Sequence, residues 1–343
     1  MEKEFAFQWH ITDLCNLRCR HCYQDRFDDK RDMPIDLWKN ILENIYSSLK
    51  IRGYSSISIN ITGGEPLISP IFSPLMGLLE EEDLIKEVNL ITNGIGLMDF
   101  YPRLIPYKKL RYIKVSLEGP NRETNDLIRG MGNFDRVIDN IQHISERIIL
   151  MFTLTRINYD KIEDMYKLGT QLGVKGIILE RFVPLGKGRD IIDKVLGTKE
   201  WMYVLECIGG LFDITPEDLL PYRAFFLDIN GGEILGALCN LGDESMCLMP
   251  DGLVYPCRRL PIVLGDLKTE EFYSILDRLG DFRNRITKDL LKGRCHQCEV
   301  EDCIGCRALA YALTGDVYSE DIQCPKDIYA RISEDSKEKS RLE

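Results

Sequence analysis

Apolar and polar positions alternate in short runs through the first half of the chain, and each run is followed by a longer stretch with helical spacing. Alternation at two residues suits a strand with one buried face, whereas recurrence at three and four suits an amphipathic helix. This pattern predicts strands at Phe7–Thr12, Ser56–Ile61, Glu87–Thr92, Tyr112–Leu117, Ile148–Thr155 and Gly176–Phe182. Helices are expected near Asp36–Leu49, Pro70–Glu82, Asn133–Glu146 and Asn158–Leu172. In the third of these, Phe134, Val137, Ile138, Ile141 and Ile144 form one apolar stripe. Asp36 and Asn158 are candidate N-caps, and Gly173 is a natural stop.

Six strand–helix alternations imply a parallel sheet covered by helices with right-handed crossovers, either an open sheet or a partial barrel. In both, chemistry belongs on the loops beyond the carboxyl ends of the strands. Cys15, the Gly63–Gly64–Glu65–Pro66 run, Asn93–Gly94 and Glu118–Gly119 all stand there. After about residue 190 the pattern changes. Helices are expected near Lys199–Phe212, Glu217–Ala224 and Thr269–Leu279, with a hairpin at Leu248–Tyr255 around Pro250–Asp251–Gly252. The polar ending ISEDSKEKSRLE is expected to be frayed.

The composition is that of an ordinary folded protein: 44% apolar and 29% charged among 343 residues. No run of 18 apolar residues marks a spanning helix, and the start lacks a signal-peptide pattern, so a cytoplasmic protein without membrane association is expected. The net charge of -11 argues against non-specific nucleic-acid binding. Twelve cysteines change the picture most. In a reducing compartment they read as metal ligands rather than disulfides. Cys15, Cys19 and Cys22 cluster at the front, eight fall between Cys239 and Cys324, and Cys207 stands alone.

The segment Cys15–Asn16–Leu17–Arg18–Cys19–Arg20–His21–Cys22–Tyr23 can wrap three sulfurs around a cubane and leave its fourth iron without a protein ligand. A zinc site using His21 as fourth ligand is the alternative. His10, inside the first strand, reads as a packed core histidine. The three-cysteine spacing, the aromatic Tyr23 after it and the Gly63–Pro66 run resemble the two motifs of the radical S-adenosylmethionine superfamily, in the right order. The resemblance implies a partial (β/α)6 TIM-like barrel in which the unique iron chelates S-adenosylmethionine. Backbone groups around Gly63, Gly64 and Glu65 would then receive its ammonium, with Pro66 completing the motif. Ser116 and Glu118 match positions near the ribose and substrate, and Glu118 is a candidate catalytic group. Asn93 is a candidate ligand contact or simply a turn residue. Arg181 would approach the carboxylate or form a buried ion pair, and Tyr23 would shield the cluster near the adenine.

The rear group contains two hooks, Cys295–Cys298 and Cys303–Cys306, which alone could make one zinc site. That leaves Cys239, Cys247, Cys257 and Cys324 unused. The arrangement, including Gly252 ahead of Cys257, resembles the SPASM extension of the same superfamily. It implies one auxiliary cluster on Cys239, Cys247, Cys257 and Cys306 and a second on Cys295, Cys298, Cys303 and Cys324, with Cys247 either a ligand or a core thiol. The expected organisation is a barrel over 1–195, a helical bridge over 196–238, a SPASM domain over 239–330 and a polar tail over 331–343.

By resemblance the cofactors are three [4Fe-4S] clusters and S-adenosylmethionine, and a 5′-deoxyadenosyl radical abstracts hydrogen from the substrate. The leading expectation is crosslinking, oxidation or epimerisation of a ribosomally made peptide. A flavodoxin- or ferredoxin-like reductant is expected as a partner. The front motif begins fourteen residues in, so leader recognition is expected from the barrel edge, the rear domain or a separate leader-binding protein. Cys207 is a candidate hydrogen donor, or a buried thiol on an apolar helix side. Alternatives are haem or quinone cofactor synthesis by an enzyme of the same superfamily, a non-enzymatic electron-transfer protein, and a zinc scaffold.

Overall fold

Ile57, Ile59 and Ile61 alternate with Ser58 and Asn60, and that run forms a strand whose isoleucines are buried. The computed structural model describes residues 3–241 and 244–329 and repeats this unit along the first half. In order come β1 (Glu4–His10), α1 (Ile35–Ile51), β2 (Ser56–Thr62), α2 (Phe72–Glu81), β3 (Ile85–Thr92) and α3 (Leu97–Leu104). Next are β4 (Leu110–Ser116), α4 (Arg122–Arg129), α5 (Asn133–Ile141), β5 (Ile148–Leu154), α6 (Ile162–Leu172) and β6 (Gly176–Arg181). The second half supplies α7 (Thr198–Phe212), β7 (Ala224–Asp228), β8 (Glu233–Ala237), β9 (Ser245–Leu248), β10 (Leu253–Tyr255), β11 (Gly265–Asp266), α8 (Phe272–Asn284) and α9 (Arg307–Thr314).

All the strands join one sheet in the order β11-β10-β9-β1-β2-β3-β4-β5-β6-β7-β8. Strands β1 to β6 run parallel, β9 adds parallel to β1, and β7 and β8 add antiparallel beyond β6. The link from Ala237 to Ser245 bends this sheet. Eight residues span at most about 28 Å, whereas β8 and β9 lie eight strand spacings apart, roughly 38 Å if flat. The sheet must therefore curl into a partial barrel.

Strand alternation divides the two faces. Phe5, Phe7 and Trp9 face the helices, where Trp9 packs on Trp38 of α1 and Phe5 and Phe7 pack on Phe272 of α8. The opposite face carries polar residues on β1 to β4 and apolar ones toward β5, where Ile149 and Met151 stand. Gln8, Asn60 and Asn89 lie in one register row, and Lys114 of β4 donates to Asn60 Oδ1 at 2.6 Å. A barrel lined this way is a chamber for a ligand rather than a second apolar core.

The six expected parallel strands are present with ends shifted by a few residues, and Gly173 caps α6 in the left-handed conformation at φ 69°. The expected hairpin is β9–β10, turning at Gly252 with φ 85°. Several expectations change. The residue before α1 is Pro34, so Asp36 lies inside the first turn rather than at the cap. The expected Asn133–Glu146 helix ends at Ile141. The expected helix at Glu217–Ala224 is a single turn, Pro216–Leu219, and Ala224 opens a β7–β8 hairpin. There, Asp228 Oδ1 accepts from the amides of Asn230 and Gly231, and Gly232 takes φ 66°. The polar tail at 331–343 lies outside the described residues.

Candidate active site

Cys15, Cys19 and Cys22 line one cleft of about 890 Å³, including its open mouth, at the carboxyl ends of the barrel strands. The loop that carries them is clamped from two sides. Gly64 N donates to Thr12 O at 2.7 Å and Glu65 N to Leu14 O at 2.8 Å. A Cβ on Gly64 would lie 2.3 Å from Leu14 O, so this close approach requires glycine. From the β6 side, Gly188 N donates to Cys22 O at 2.8 Å and Lys187 N to Gln24 O at 2.9 Å. Gly186, at φ 50°, packs against the Tyr23 and Gln24 backbone.

Burial pushes the thiol of Cys15 up to about 11 and that of Cys22 to about 12, so both are protonated at neutral pH until a metal displaces the proton. Arg129 points Nη1 at Cys19 Sγ, 3.8 Å away, and lines the same cleft. Among the described residues no three His, Cys, Asp or Glu side chains converge on a single-ion site. Three thiols on one loop make the donor set of a cubane with one iron left open, whereas a structural zinc ion takes a fourth protein ligand. His21 turns its Nε2 to Glu118 Oε1 at 3.1 Å, which takes it away from the role of fourth zinc ligand.

Glu118, expected as a catalytic group, does not line the cleft. It is 1% exposed, with Oε1 shared by Arg129 Nη2 at 3.0 Å and His21, and Oε2 accepting from Thr153 N at 2.8 Å. His21 and Arg129 hold its carboxyl below the usual range despite burial. It holds the Arg129 guanidinium in place. Glu65 is likewise committed to the protein, accepting from Leu67 N at 3.1 Å, Thr92 Oγ1 at 2.8 Å and Asn93 N at 2.7 Å. Its carboxylate locks the end of β3 to the turn at Pro66 and does not face the cleft, although Gly63 and Gly64 do. Asn93 lines the cleft but already donates to Asn16 Oδ1 at 2.7 Å and accepts from Ile95 N at 3.0 Å. Ser116, at the end of β4, opens into it.

Arg181 lines the cleft, but its guanidinium is committed elsewhere. That group is buried against Asp321 Oδ2 at 2.8 Å and 3.9 Å from the Trp201 ring centroid. Cys207 is not brought to the cleft. It lies on α7 beside Tyr203, with Glu163, Glu206 and Asp160 as its charged neighbours, on the helix-covered outside of the sheet. A hydrogen-donor role toward a substrate in the cleft has no geometric basis. Tyr23 does line the cleft, and its hydroxyl meets His10 Nδ1 at 3.1 Å. His10 is buried as expected, but in a polar network, since its Nε2 faces Asp13 Oδ1 at 3.2 Å.

The rear cysteines form two neighbourhoods. Cys239, Cys247 and Cys257 line one cavity, and negative charge on Cys306 opposes ionisation of both Cys239 and Cys257. Charge on Cys303 opposes ionisation of Cys295 and Cys324. Buried arginines face these sulfurs: Arg223 Nη2 reaches Cys303 Sγ at 3.0 Å and Arg307 Nη2 reaches Cys295 Sγ at 3.7 Å. Buried cations demand buried anions, and this donor set suits thiolate-ligated, anionic metal centres. Cys298 offers its carbonyl to Lys288 Nζ at 2.5 Å.

The sequence reading missed Arg129, Lys114, Glu180, Arg258 and Arg259. For Arg129 a signal existed. Asn121 caps α4 by accepting from Thr124 N, and Gly130 ends it at φ 108°, so a short polar helix delivers Arg129 to the cysteine loop.

The Radical SAM superfamily profile matches residues 9–169, and the SPASM profile, an iron-sulfur cluster-binding domain, matches residues 239–299. The chain is 28% identical over 340 residues to the AdoMet-dependent heme synthase of Methanosarcina barkeri, covering 92% of this chain and 95% of that one. It is 25% identical over 269 residues to the mycofactocin maturase MftC of Mycolicibacterium smegmatis, covering 75% of this chain and 65% of that one. The fold is similar to that of anSMEcpe with bound AdoMet and a Cp18Cys peptide, with a TM-score of 0.70, 17% identity and 94% of each chain covered.

Proposed function

We propose that this chain, a radical S-adenosylmethionine enzyme with a C-terminal SPASM domain, tailors the side chains of a carboxylate-bearing tetrapyrrole in haem synthesis. The observation carrying this reading is the similarity to a haem synthase along nearly the whole of both chains. The arginines that line an otherwise largely apolar cleft agree with it, because such a tetrapyrrole joins an apolar ring to an anionic periphery.

In this reading Cys15, Cys19 and Cys22 hold the front cluster. Cys239, Cys247, Cys257 and Cys306 hold one auxiliary cluster, and Cys295, Cys298, Cys303 and Cys324 another, making three in all. When bound, the front cluster and S-adenosylmethionine supply a radical able to remove hydrogen from an unactivated C–H bond. Gly63 and Gly64 leave backbone exposed to the ligand, Ser116 meets its sugar, and Arg129 meets its carboxylate. Glu118 fixes Arg129 in place. Arg129→Ala should therefore weaken S-adenosylmethionine binding about 10- to 100-fold, the loss expected for one charged hydrogen bond. Isothermal titration of the iron-loaded protein measures this, and unchanged affinity would remove Arg129 from the site. A soluble low-potential reductant completes the system.

The test is anaerobic incubation of reconstituted protein with S-adenosylmethionine, reductant and iron coproporphyrin III. The expected result is 5′-deoxyadenosine together with a porphyrin lighter by the elements of formic acid for each side chain converted to vinyl. The second reading is maturation of a ribosomal peptide, favoured by the similarity to the mycofactocin maturase. Unchanged porphyrin, with a mass change in a peptide encoded beside the gene, would replace the first reading by the second.

A further inference from the structure

Arg258 stands where three cavities meet: the front cleft, the space beside Cys239, Cys247 and Cys257, and the space behind Tyr23. It is 9% exposed, yet few groups hold it. Nη1 donates to Thr62 Oγ1 at 3.4 Å, the guanidinium lies 4.9 Å from the Tyr23 ring centroid, and the buried Nε has no partner. Its neighbour behaves differently. Arg259 donates to the Arg181 carbonyl at 2.8 Å and faces the thiols of Cys257 and Cys306, so its charge belongs to the auxiliary metal site.

A second cation reaches Asn60, which lines the cavity beside Cys239, Cys247 and Cys257 together with Arg258. Lys114 Nζ is bound by Asn60 Oδ1 at 2.6 Å, and among the described residues no carboxylate comes within salt-bridge distance of it. Burial pushes its pKa down, Glu87 and Glu180 oppose that shift, and Arg258 adds to it. Lys114 shares a face of β4 with Ser116, roughly 7 Å deeper by the strand rise. The acid between these cations is Glu180, which lines the cleft. It stands 3.8 Å from both Arg258 and Arg259, too far for a direct hydrogen bond.

We propose that Arg258 and Lys114 form a carboxylate-binding subsite inside the barrel, with Glu180 as its fixed counter-charge, which anchors a side-chain carboxylate of the substrate below the cofactor cleft. The assignment deepens the haem-synthesis reading and rests on it for the identity of the substrate. Neither cation has a protein carboxylate within hydrogen-bond distance, so a ligand carboxylate can accept from both. The unpartnered Nε of Arg258 gives the fork that a carboxylate accepts from in two places.

The experiment uses the full, iron-loaded protein and two probes, coproporphyrin III and glutarate, with their uncharged counterparts, the porphyrin tetramethyl ester and glutaramide. Wild type, R258Q, R258K and K114M are first matched for iron content and circular dichroism. Porphyrin affinity is read from the Soret band and glutarate affinity by calorimetry. The expected result is that R258Q weakens the free-acid porphyrin about 10- to 100-fold and K114M about tenfold. R258K should recover part of the loss, and the ester should bind alike to all variants. Free acid bound equally by wild type, R258Q and K114M would overturn the subsite and leave the haem reading standing. Porphyrin bound by none of them would overturn the haem reading, and glutarate then decides the subsite. Selective glutarate binding lost in R258Q supports it. Glutarate binding that is absent, or unchanged in R258Q, overturns it.

Discussion

Cys19→Ser will abolish cleavage of S-adenosylmethionine, with 5′-deoxyadenosine formation falling by about 10³-fold or more, as when one member of an interdependent catalytic unit is removed. The three front sulfurs come from a single loop and line a single cleft, so no other thiol among the described residues replaces a missing one there. Serine keeps the shape of the side chain but ionises far less readily than a thiol, and soft iron prefers thiolate. Iron analysis should show the loss of the front cluster alone, because the rear cysteines stand in separate neighbourhoods. Cys207→Ala should leave both iron content and turnover unchanged, because that thiol lies beside Tyr203 on the outside of α7. Full turnover in Cys19→Ser would contradict the assignment of the front loop.

Asp321→Asn will be the most destabilising single change away from the metal ligands. Asp321 is 0% exposed. Its Oδ2 accepts from Arg181 Nη1 at 2.8 Å, Arg223 Nη1 at 3.1 Å and Cys306 N at 2.9 Å, while Oδ1 accepts from Gln323 N at 3.1 Å. One carboxylate thus ties β6, the entry to β7 and the rear cysteine run together. The amide would remove the one carboxylate that both buried guanidinium groups share, at a cost of about 3–5 kcal/mol. Urea denaturation of the iron-loaded protein measures this, and coincident curves for variant and wild type would remove the pair from the account.

The same carboxylate sets an acid limit. Arg181 and Arg223 overcome the penalty of burial and bring its pKa down from 3.8 to about 2. Its contribution is therefore complete above about pH 4 and is lost as pH falls through about 2. Wild type should lose this contribution across that window. Asp321→Asn should lack that part of the pH dependence and be uniformly weaker above it.

The local periodicities that a short window can hold were legible. Ile57, Ile59 and Ile61 announce β2, and Val88, Leu90 and Thr92 mark the end of β3, because each residue's burial follows from the pleat. Helix α4 was not legible by the same means. In RETNDLIR the apolar Ile128 is buried and Leu127 is exposed, so no apolar stripe exists to be read. Helix α3 hides behind Pro102, which sits inside it. The β7–β8 hairpin carried a turn signal in Asn230–Gly231–Gly232, but the polar run Glu217–Asp218 ahead of it reads as a helix start.

The chain alone determined the sheet-and-helix alternation, the front sulfur loop and the glycine turn facing it, since each depends on residues within a few positions of one another. Which side chains meet inside the barrel was decided only by folding. Arg129 finds Glu118 because α4 folds back over the end of β4, and Arg181 finds Asp321 across 140 positions of sequence. Arg258 and Lys114 sense each other's charge because the curled sheet brings β4 and the segment after β10 to the same interior. Charges separated so far along the chain have no mutual energy in the extended polymer. They acquire it only when burial strips away water and leaves them a few ångströms apart.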